Sequence, residues 1–295
     1  MDPIGDMVVP RDWACLNGEW MPAEEAKVSI WDRGFLFADA VYEVFRLYGG
    51  RCWLEAEHLA RLRRSLGELE LPSVDLDALR GRIGRTIRES GVEDGTAYVQ
   101  ITRGVAPRAH AFPTPPVAPT ELIVVRLYDD TATAARRVAG ATVITHPDLR
   151  WGRRDIKSTN LLANVLALEL AKRNGSDEAL LIDRDGFVTE ATHSSVVWLR
   201  DDRIEGTPNN SAILPGTTRY LTQDLAKLEK IPFVEARVTL DEFLLADEAW
   251  LVGTTIEVMP IVKVDDRPIG DGRPGPVARQ FQAAYRSAVD RWLLG

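Results

Sequence analysis

The sequence predicts an α+β fold in two domains. Strand-like runs, in which apolar and polar residues alternate, group together along the chain and do not alternate strictly with helical patterns. The chain has 295 residues, 45% of them hydrophobic, which is enough to bury one or two cores. The small, polar stretch DDTATAARR has no periodicity and separates two such groups. We therefore place a small N-terminal α/β domain at 1–130, a linker at 131–136 and a larger C-terminal domain at 137–295.

The first domain has clear turn and helix signals. Asn17-Gly18 and Gly49-Gly50 each lie between short extended runs, which is typical of β-hairpins. Two helical patterns follow, EAEHLARLRRSLGELE and DLDALRGRIGRTIRESG. Two strands, TAYVQITRG and TELIVVRLY, then enclose the proline-rich segment APRAHAFPTPPVAP, which is long enough to suggest a function.

The second domain opens with a strand, VAGATVITH, and a helix, STNLLANVLALELAKRNG, for which Ser158 is the expected N-cap. A run of strands from EALLI to RIEG turns at Asp185-Gly186. A helix in LPGTTRYLTQDLAKLEK, a strand in EAWLVGTT and a helix in PVARQFQAAYRSAVDRWLL complete the chain.

Composition excludes several classes of function. The net charge of −8 provides no basic excess to bind nucleic acid or an anionic membrane, so small solutes are the expected partners. Cys15 and Cys52 are the two cysteines, and the four histidines have no metal-ligand spacing, so we expect neither a disulfide scaffold nor a metal site. The first residues lack a basic start followed by an apolar run, and no later stretch is apolar for 18 residues. We expect a cytoplasmic protein.

The segment DLRWGRRDIKSTNLLANV contains the first candidate catalytic residue. Lys157 precedes a helix and has Arg150, Arg153 and Arg154 close by in sequence. Like charge and burial both favour the neutral, nucleophilic form of a lysine, which a Schiff-base catalyst needs. A solvated basic turn is the commoner explanation of this segment taken alone.

Three further segments suit a phosphorylated cofactor. In ILPGTTRYLTQDL a glycine and two threonines open a helix, where backbone N–H groups can hold a phosphate, and LVGTTIE is a second such cluster. In FVTEATHSS, Glu190 follows a strand, and a carboxylate against a pyridine nitrogen strengthens pyridoxal phosphate as an electron sink. Each signal also has an ordinary explanation, as a cap, a turn or an exposed strand end.

Six segments together resemble the fold-type IV pyridoxal-phosphate enzymes, which include branched-chain aminotransferases, D-amino-acid aminotransferases and aminodeoxychorismate lyases. They occur in the family's order and approximate spacing from about Leu16 to Val264: DRGFLFADAVYEVFR, EHLARL, DIKSTNLLANVLA, DGFVTEATHSS, LPGTTR and GTTIEVMP. The resemblance implies a small α/β domain followed by a larger domain with a β-barrel-like core.

The resemblance also implies roles for individual residues. Lys157 would form a Schiff base with pyridoxal 5'-phosphate and carry a proton to and from the substrate Cα, and Glu190 would pair with the pyridine nitrogen. Leu214 would pack on the ring, although spacing alone also explains it as a core residue and Arg61 as a surface charge. The residues expected at the phosphate are Arg61, Gly216, Thr217, Thr218 and Thr254.

Within the family, YVQITRGVAPRAHAFP resembles the D-amino-acid aminotransferases. Arg108 and His110, joined by Tyr42, would bind the substrate α-carboxylate and so select which face of Cα meets the lysine. The other substrate-binding candidates are Thr255 and His193. In the resembling enzymes this loop reaches into the neighbouring subunit's site, which implies a homodimer.

Two segments depart from the D-enzyme pattern. After Glu190 the family usually has glycine and serines ending in asparagine, whereas this chain reads ATHSS. His193 therefore either enters the substrate pocket and alters side-chain preference or faces solvent. LPGTTR is closer to the branched-chain branch at Pro215 and Thr217.

We therefore expect ping-pong transamination between D-amino acids, such as D-alanine or D-glutamate, and 2-oxo acids, such as 2-oxoglutarate or pyruvate. Three related activities remain as alternatives: a branched-chain L-amino-acid aminotransferase, an R-selective amine transaminase that does not need Arg108, and an aminodeoxychorismate lyase. From another class, a catalytically silent module would only sequester the cofactor, which the presence of Lys157 and Glu190 opposes.

Overall fold

The computed structural model describes residues 11–295. The first ten residues, where the sequence predicts no leader peptide, lie outside the described part. The chain divides into two compact units. Of the described residues, one unit comprises 11–129 and Ile156–Thr159, and the other comprises Asp130–Asp155 and Asn160–Gly295.

The first unit is built on an antiparallel sheet with strand order β2-β1-β6-β5-β3-β4. Both predicted hairpins are present, and Asn17, Gly18, Gly49 and Gly50 turn them with positive φ. The strands are Trp13–Leu16 (β1), Glu19–Pro22 (β2), Ala40–Tyr48 (β3), Arg51–Cys52 (β4), Gly95–Thr102 (β5) and Thr120–Leu127 (β6).

Helices cover this sheet as the apolar spacing predicts. Glu55–Glu68 (α2) and Leu76–Ser90 (α3) bury one face each, and their apolar residues join β3 and β5 in one core. A short helix at Arg33–Phe37 (α1) and a 3-10 turn at Ala23–Glu25 have too few residues to show a period in the sequence.

The second unit contains nine strands with the order β12-β11-β10-β13-β14-β7-β8-β9, and β15 pairs with β14. The Ala191 N–H donates to Ser194 O (2.9 Å) where β9 turns into β10, so the sheet curls back on itself and the expected barrel-like core is confirmed. The strands are Ala141–Pro147 (β7), Glu178–Ile182 (β8), Val188–Ala191 (β9), Ser195–Arg200 (β10), Arg203–Gly206 (β11), Phe233–Glu235 (β12), Glu248–Gly253 (β13), Glu257–Val264 (β14) and Arg267–Pro268 (β15).

Five helices surround the second sheet. Of the three helices predicted here, the C-terminal one has the predicted bounds, and the other two lie a few residues inside the predicted segments at both ends. The helices at Thr131–Ala139 and Leu240–Phe243 were not predicted. The helices are Thr131–Ala139 (α4), Leu162–Arg173 (α5), Thr217–Leu228 (α6), Leu240–Phe243 (α7) and Pro276–Leu294 (α8).

Two local expectations need correction. The segment 131–136, expected to be the linker and given no helix in the sequence analysis, is helical: it lies in α4, where buried Arg137 pairs with Asp130. Ser158 does not cap α5, which begins at Leu162 after Leu161. Instead Ser158 forms a β-bridge with Val41, so residues 156–159 extend the first unit's sheet before the helix starts.

Within residues 11–295, no helix combines the length and the apolar character needed to cross a membrane. The same residues contain no group of three or more His, Cys, Asp or Glu side chains arranged to hold a metal ion.

Candidate active site

Lys157 lies beside β3 in the first unit. Its carbonyl oxygen accepts a hydrogen bond from the Tyr42 N–H (3.0 Å), and its own N–H donates to Ser65 Oγ (3.3 Å). The amine Nζ lies 4.3 Å from the centre of the Tyr42 ring, and among residues 11–295 it makes no hydrogen bond or ion pair. The backbone therefore fixes the position of Lys157 and leaves its amine available.

A buried ion cluster lies in the same unit. Glu43 points inward from β3 and accepts two hydrogen bonds from Arg61, Nε to Oε1 (2.7 Å) and Nη2 to Oε2 (2.8 Å). His58 Nδ1 lies 2.7 Å from Glu43 Oε2. Burial alone would raise the pKa of Glu43, but the charge and hydrogen bonds of Arg61 and those of His58 outweigh it and lower the pKa to about 2. Glu43 therefore holds the guanidinium of Arg61, a predicted phosphate ligand, in one orientation.

Replacing Glu43 by glutamine should destabilise the protein by about 3 to 5 kcal/mol, because the buried Arg61 charge then loses its partner. A urea titration of the free energy of unfolding at neutral pH measures this. Glu57→Gln on the exposed face of α2 is the matched control and should change that free energy by less than about 0.5 kcal/mol. Equal effects of the two variants would show that the ion cluster contributes no stability.

The same cluster predicts an acid limb of stability. The pKa of Glu43 falls from an ordinary 4.5 to about 2 on folding, so its contribution is complete above pH 4.5 and is lost as the pH falls towards 2. The unfolding free energy of the native chain minus that of Glu43→Gln should shrink by about 3 kcal/mol over that range. Urea titrations of both proteins at a series of pH values measure the difference. A difference independent of pH would rule out this origin.

Glu190 is a buried carboxylate in the second unit. It lies on β9, forms an ion pair with Arg150 and accepts the Leu214 N–H at 3.2 Å on each carboxylate oxygen. Asp148 orients Arg150 from the other side, through Nη2 to Oδ2 (2.7 Å), and accepts the Thr189 hydroxyl (2.8 Å). Burial raises the pKa of Glu190, and Arg150 and the Leu214 N–H counteract that rise without cancelling it.

The three arginines near Lys157 in sequence were expected to surround the lysine with positive charge, but each of them lies next to a carboxylate. Arg150 pairs with Asp148 and Glu190, Arg154 lies 3.4 Å from Asp148 Oδ1, and Arg153 Nε lies 3.0 Å from Asp155 Oδ1. Their charges are compensated inside the second unit, so they supply no uncompensated positive charge to activate the lysine.

The two Gly-Thr-Thr clusters flank one turn of the second unit. Gly216 is the N-cap of α6 and has no side chain to accept from the N–H groups of the first turn, to which the buried Thr217 and Thr218 belong. A Cβ on Gly216 would lie 2.7 Å from Ser195 Oγ, and one on Gly253 would lie 3.5 Å from Ser194 Cβ. The turn that joins β9 to β10 thus lies between the two clusters.

Ser194 in this turn was not predicted. Its hydroxyl is buried and has no hydrogen-bond partner among the described residues, and it adjoins Gly253, the residue before Thr254. A buried hydroxyl without a partner is costly, and a phosphate oxygen would satisfy it.

Ser194→Ala should lower phosphate affinity by roughly 1 to 3 kcal/mol, because it removes one donor from a buried anion site. Titration of the cofactor-free protein with inorganic phosphate and with pyridoxal 5'-phosphate measures it. Ser211→Ala, in an exposed loop of the same unit, is the control. Unchanged affinity for both ligands would place Ser194 outside the site.

The substrate-side candidates lie in different settings. Arg108 and His110 are exposed in the loop between β5 and β6, and both lie near Phe37: the Arg108 Cζ is 5.3 Å from its ring centre and the His110 ring centre is 5.6 Å away. Thr254 and Thr255 follow β13 and are half-buried. The His193 side chain is 50% exposed, and its Nδ1 lies 2.7 Å from Oε2 of the buried Glu178.

The structure thus brings Lys157 to Tyr42 in one unit, and Glu190 to Leu214 in the other. Sequence analysis missed Glu43, Asp148 and Ser194. A glutamate inside the mostly apolar strand AVYEVFRLY was a usable signal for Glu43, since charged residues are seldom buried unless paired. The other two lie in segments whose composition does not distinguish them from ordinary turns.

Comparison with known proteins identifies the class. Residues 40–264 match the family described as amino-transferase class IV. A D-alanine aminotransferase of Staphylococcus epidermidis is 40% identical over 275 residues, which cover 93% of this chain and 96% of that protein. A D-alanine aminotransferase of Bacillus licheniformis is 36% identical over 274 residues, which cover 92% of this chain and 95% of that protein.

Solved structures agree with this result. The branched-chain amino acid aminotransferase of Escherichia coli superposes with a TM-score of 0.89 at 25% identity, and the match covers 94% of each chain. This chain belongs to the class IV aminotransferases. They are pyridoxal-phosphate enzymes of fold type IV, which confirms the family predicted from the six sequence segments.

Proposed function

We propose that this chain is a D-amino-acid aminotransferase that moves an amino group between D-amino acids and 2-oxo acids. The observation that carries the proposal is its identity of 36 to 40% with D-alanine aminotransferases over 92 to 93% of its length. The exposed Arg108 and His110, close together on one loop, support the same subgroup because they offer a cationic site for a carboxylate.

The residues present fit pyridoxal 5'-phosphate. The buried hydroxyl of Ser194 without a partner, and the first turn of α6 behind Gly216, suit its phosphate. The buried carboxylate of Glu190 suits a protonated pyridine nitrogen. We assign Arg61, Thr217, Thr218 and Thr254 to the phosphate, Leu214 to the ring and Lys157 to the covalent Schiff-base attachment.

The bound cofactor supplies an electron sink and carries the amino group between the two substrates. Lys157 Nζ is the base that takes the proton from the substrate Cα and returns one in the reverse half-reaction. Tyr42 packs its ring against this amine, and the backbone contacts of Lys157 hold it in place. Arg150 and Asp148 keep the carboxylate of Glu190 oriented.

Arg108 and His110, with Tyr42, bind the substrate carboxylate. The planar guanidinium accepts a carboxylate in two parallel hydrogen bonds, which fixes the rotation of the substrate as well as its place. Fixing the carboxylate decides which hydrogen of Cα faces Lys157 and therefore selects one enantiomer. Thr255 and His193 complete the proposed substrate pocket.

The site requires a homodimer in this proposal, because the loop of one subunit serves the neighbouring subunit. Both units expose apolar side chains suited to a second copy. In the first, Phe35 is 70% exposed beside exposed Ile30 and Trp31. In the second, Leu162 is 72% exposed and forms one face of α5 with Val165, Leu166 and Leu170. The free, buried Cys15 and Cys52 fit the reducing cytoplasm that we propose as its compartment.

The shared site is tested at D-alanine concentrations well below KM by mixing Lys157→Ala, which should be inactive, with Arg108→Ala, which should be nearly inactive under those conditions. Lys157→Ala and Arg108→Ala subunits, unfolded together and refolded as mixed dimers, should recover about a quarter of the native activity, because half of the dimers are mixed and each has one intact site. Each variant refolded alone is the control. No recovery in dimers shown to be mixed would mean that Arg108 serves its own subunit.

The substrate assignment is tested with the purified holoenzyme. D-alanine with 2-oxoglutarate should give pyruvate and glutamate, and D-alanine alone should change the visible absorbance of the bound cofactor in a single half-reaction. The branched-chain activity is the second candidate, because the branched-chain enzyme of Escherichia coli superposes with a TM-score of 0.89. Turnover of L-leucine and not of D-alanine would select it. Turnover of amines without a carboxylate, or pyruvate release from aminodeoxychorismate, would select the other two.

A further inference from the structure

The loop that carries Arg108 and His110 has little structure of its own. This Pro-rich loop, residues 103–119, contains no helix or strand, and most of its side chains are exposed. A loop of that kind would be expected to move on a nanosecond to microsecond scale. Substrate positioning by Arg108 needs a fixed backbone, since a misplacement of about 1 Å can cost 100-fold in rate. Something must therefore restrain the loop.

Arg33 contacts the tip of the Pro-rich loop directly. Its side chain is buried, and its guanidinium donates to three successive carbonyl oxygens: Nη1 to Ala109 O (2.6 Å) and Ala111 O (3.3 Å), and Nη2 to His110 O (3.4 Å). These carbonyls belong to the residues immediately after Arg108 and around His110. One buried cation thus holds the backbone on which both carboxylate ligands stand.

Asp39 fixes the orientation of Arg33. Its carboxylate accepts from Arg33 Nε (2.8 Å) and, with both oxygens, from Arg103 Nε (2.8 Å) and Nη2 (3.1 Å). Arg103, the first residue of the loop, also donates to the Leu69 and Glu70 carbonyls at 2.7 Å each. One carboxylate thus pairs with two arginines and leaves a net positive charge. Backbone carbonyls accept hydrogen bonds from that charge, so the bonds from Arg33 to the loop carbonyls are charge-assisted.

Asp32 closes the two ends of the same loop. Its Oδ2 accepts the hydroxyls of Thr102 (3.1 Å) and Thr120 (2.6 Å), the residues on either side of the Pro-rich loop. Its Oδ1 accepts the Gly34 N–H (2.8 Å) and caps α1, the helix that begins with Arg33. The ends and the tip of the loop are therefore held by adjacent residues of one segment.

We propose that Arg33 is a positioning residue for substrate binding: it fixes the Pro-rich loop so that Arg108 and His110 meet the substrate carboxylate. The inference rests on the proposed function, because the carboxylate role of Arg108 and His110 comes from there. Phe37 lies one helical turn after Arg33, and its ring is near the side chains of Arg108 and His110. It therefore restrains the two side chains, as Arg33 restrains their backbone. Lysine cannot replace Arg33, because one ammonium does not reach Asp39 and the three carbonyls together.

The experiment compares Arg33→Met and Arg33→Lys with Arg63→Met, which removes an exposed arginine from α2. Two quantities are measured on each holoenzyme: hydrogen–deuterium exchange of the peptide that covers Ala109 to Phe112, and KM and kcat for D-alanine. Both Arg33 variants should exchange faster in that peptide and raise KM roughly 10- to 100-fold, with a much smaller change in kcat. Arg63→Met should match the native protein. If Arg33→Met does not fold, Arg33→Lys provides the same test.

Each outcome is decisive. Native exchange and native KM in the Arg33 variants would overturn the proposal, and so would faster exchange with an unchanged KM, because the loop would then be held without positioning substrate. Native exchange and native KM in Arg33→Lys alone would show that the planar guanidinium is not required. If the native holoenzyme does not turn over D-amino acids, the proposed function fails, and so does the role of Arg33 in positioning substrate. The exchange measurement still shows separately whether Arg33 holds the loop.

Discussion

Lys157→Ala should reduce transamination of D-alanine by at least about 1,000-fold, because it removes the amine that we propose as the base for the Cα proton. The fold should survive, since two hydrogen bonds of its backbone hold Lys157 in place: its carbonyl accepts from the Tyr42 N–H, and its N–H donates to Ser65 Oγ. Measurement of kcat together with the thermal midpoint separates loss of chemistry from loss of structure. The visible absorbance of the attached cofactor should disappear in the same variant.

Lys172→Ala, on the exposed side of α5, is the control and should retain native turnover. Multiple turnover by Lys157→Ala without an added amine would contradict the assignment. A lysine elsewhere in the chain would then have to be the base.

Arg108→Ala should weaken binding of the substrate carboxylate by roughly 2 to 5 kcal/mol, because the truncation leaves a desolvated carboxylate without its charged partner. This corresponds to a rise in KM for D-alanine of about 30-fold or more. Stability should not change, since Arg108 is exposed and the carbonyl of the next residue, Ala109, is held by Arg33. Steady-state kinetics with D-alanine and with an amine that lacks the carboxylate measure the effect.

Only the carboxylate-bearing substrate should lose affinity in Arg108→Ala. Arg184→Ala, in an exposed turn of the second unit, should behave as the native enzyme. An unchanged KM for D-alanine in Arg108→Ala would remove this residue from the site and favour an amine transaminase.

Local pattern predicted most of the regular structure. The helices α2 and α3 and the hairpin at Asn17-Gly18 follow from apolar spacing and turn residues, both of which act within a few residues. It failed at α4, where DDTATAARR has no apolar stripe and the helix is anchored by Arg137 and Asp130. It also failed at Ser158, which looks like a cap in sequence and pairs instead with Val41, 117 positions earlier in the chain.

The family follows from the sequence alone, and the proposed catalytic lysine and cofactor residues are candidates from the same source, because all of them lie in short motifs with a fixed order. Only the tertiary structure decided what surrounds them: Arg150 at Glu190, 40 residues apart, and Arg33 at the Ala109 carbonyl, 76 residues apart. The residues next to each of these side chains in sequence do not indicate its partner. Buried charges must find partners wherever the packed chain brings them together, and that requirement is met by the fold and not by neighbours in sequence.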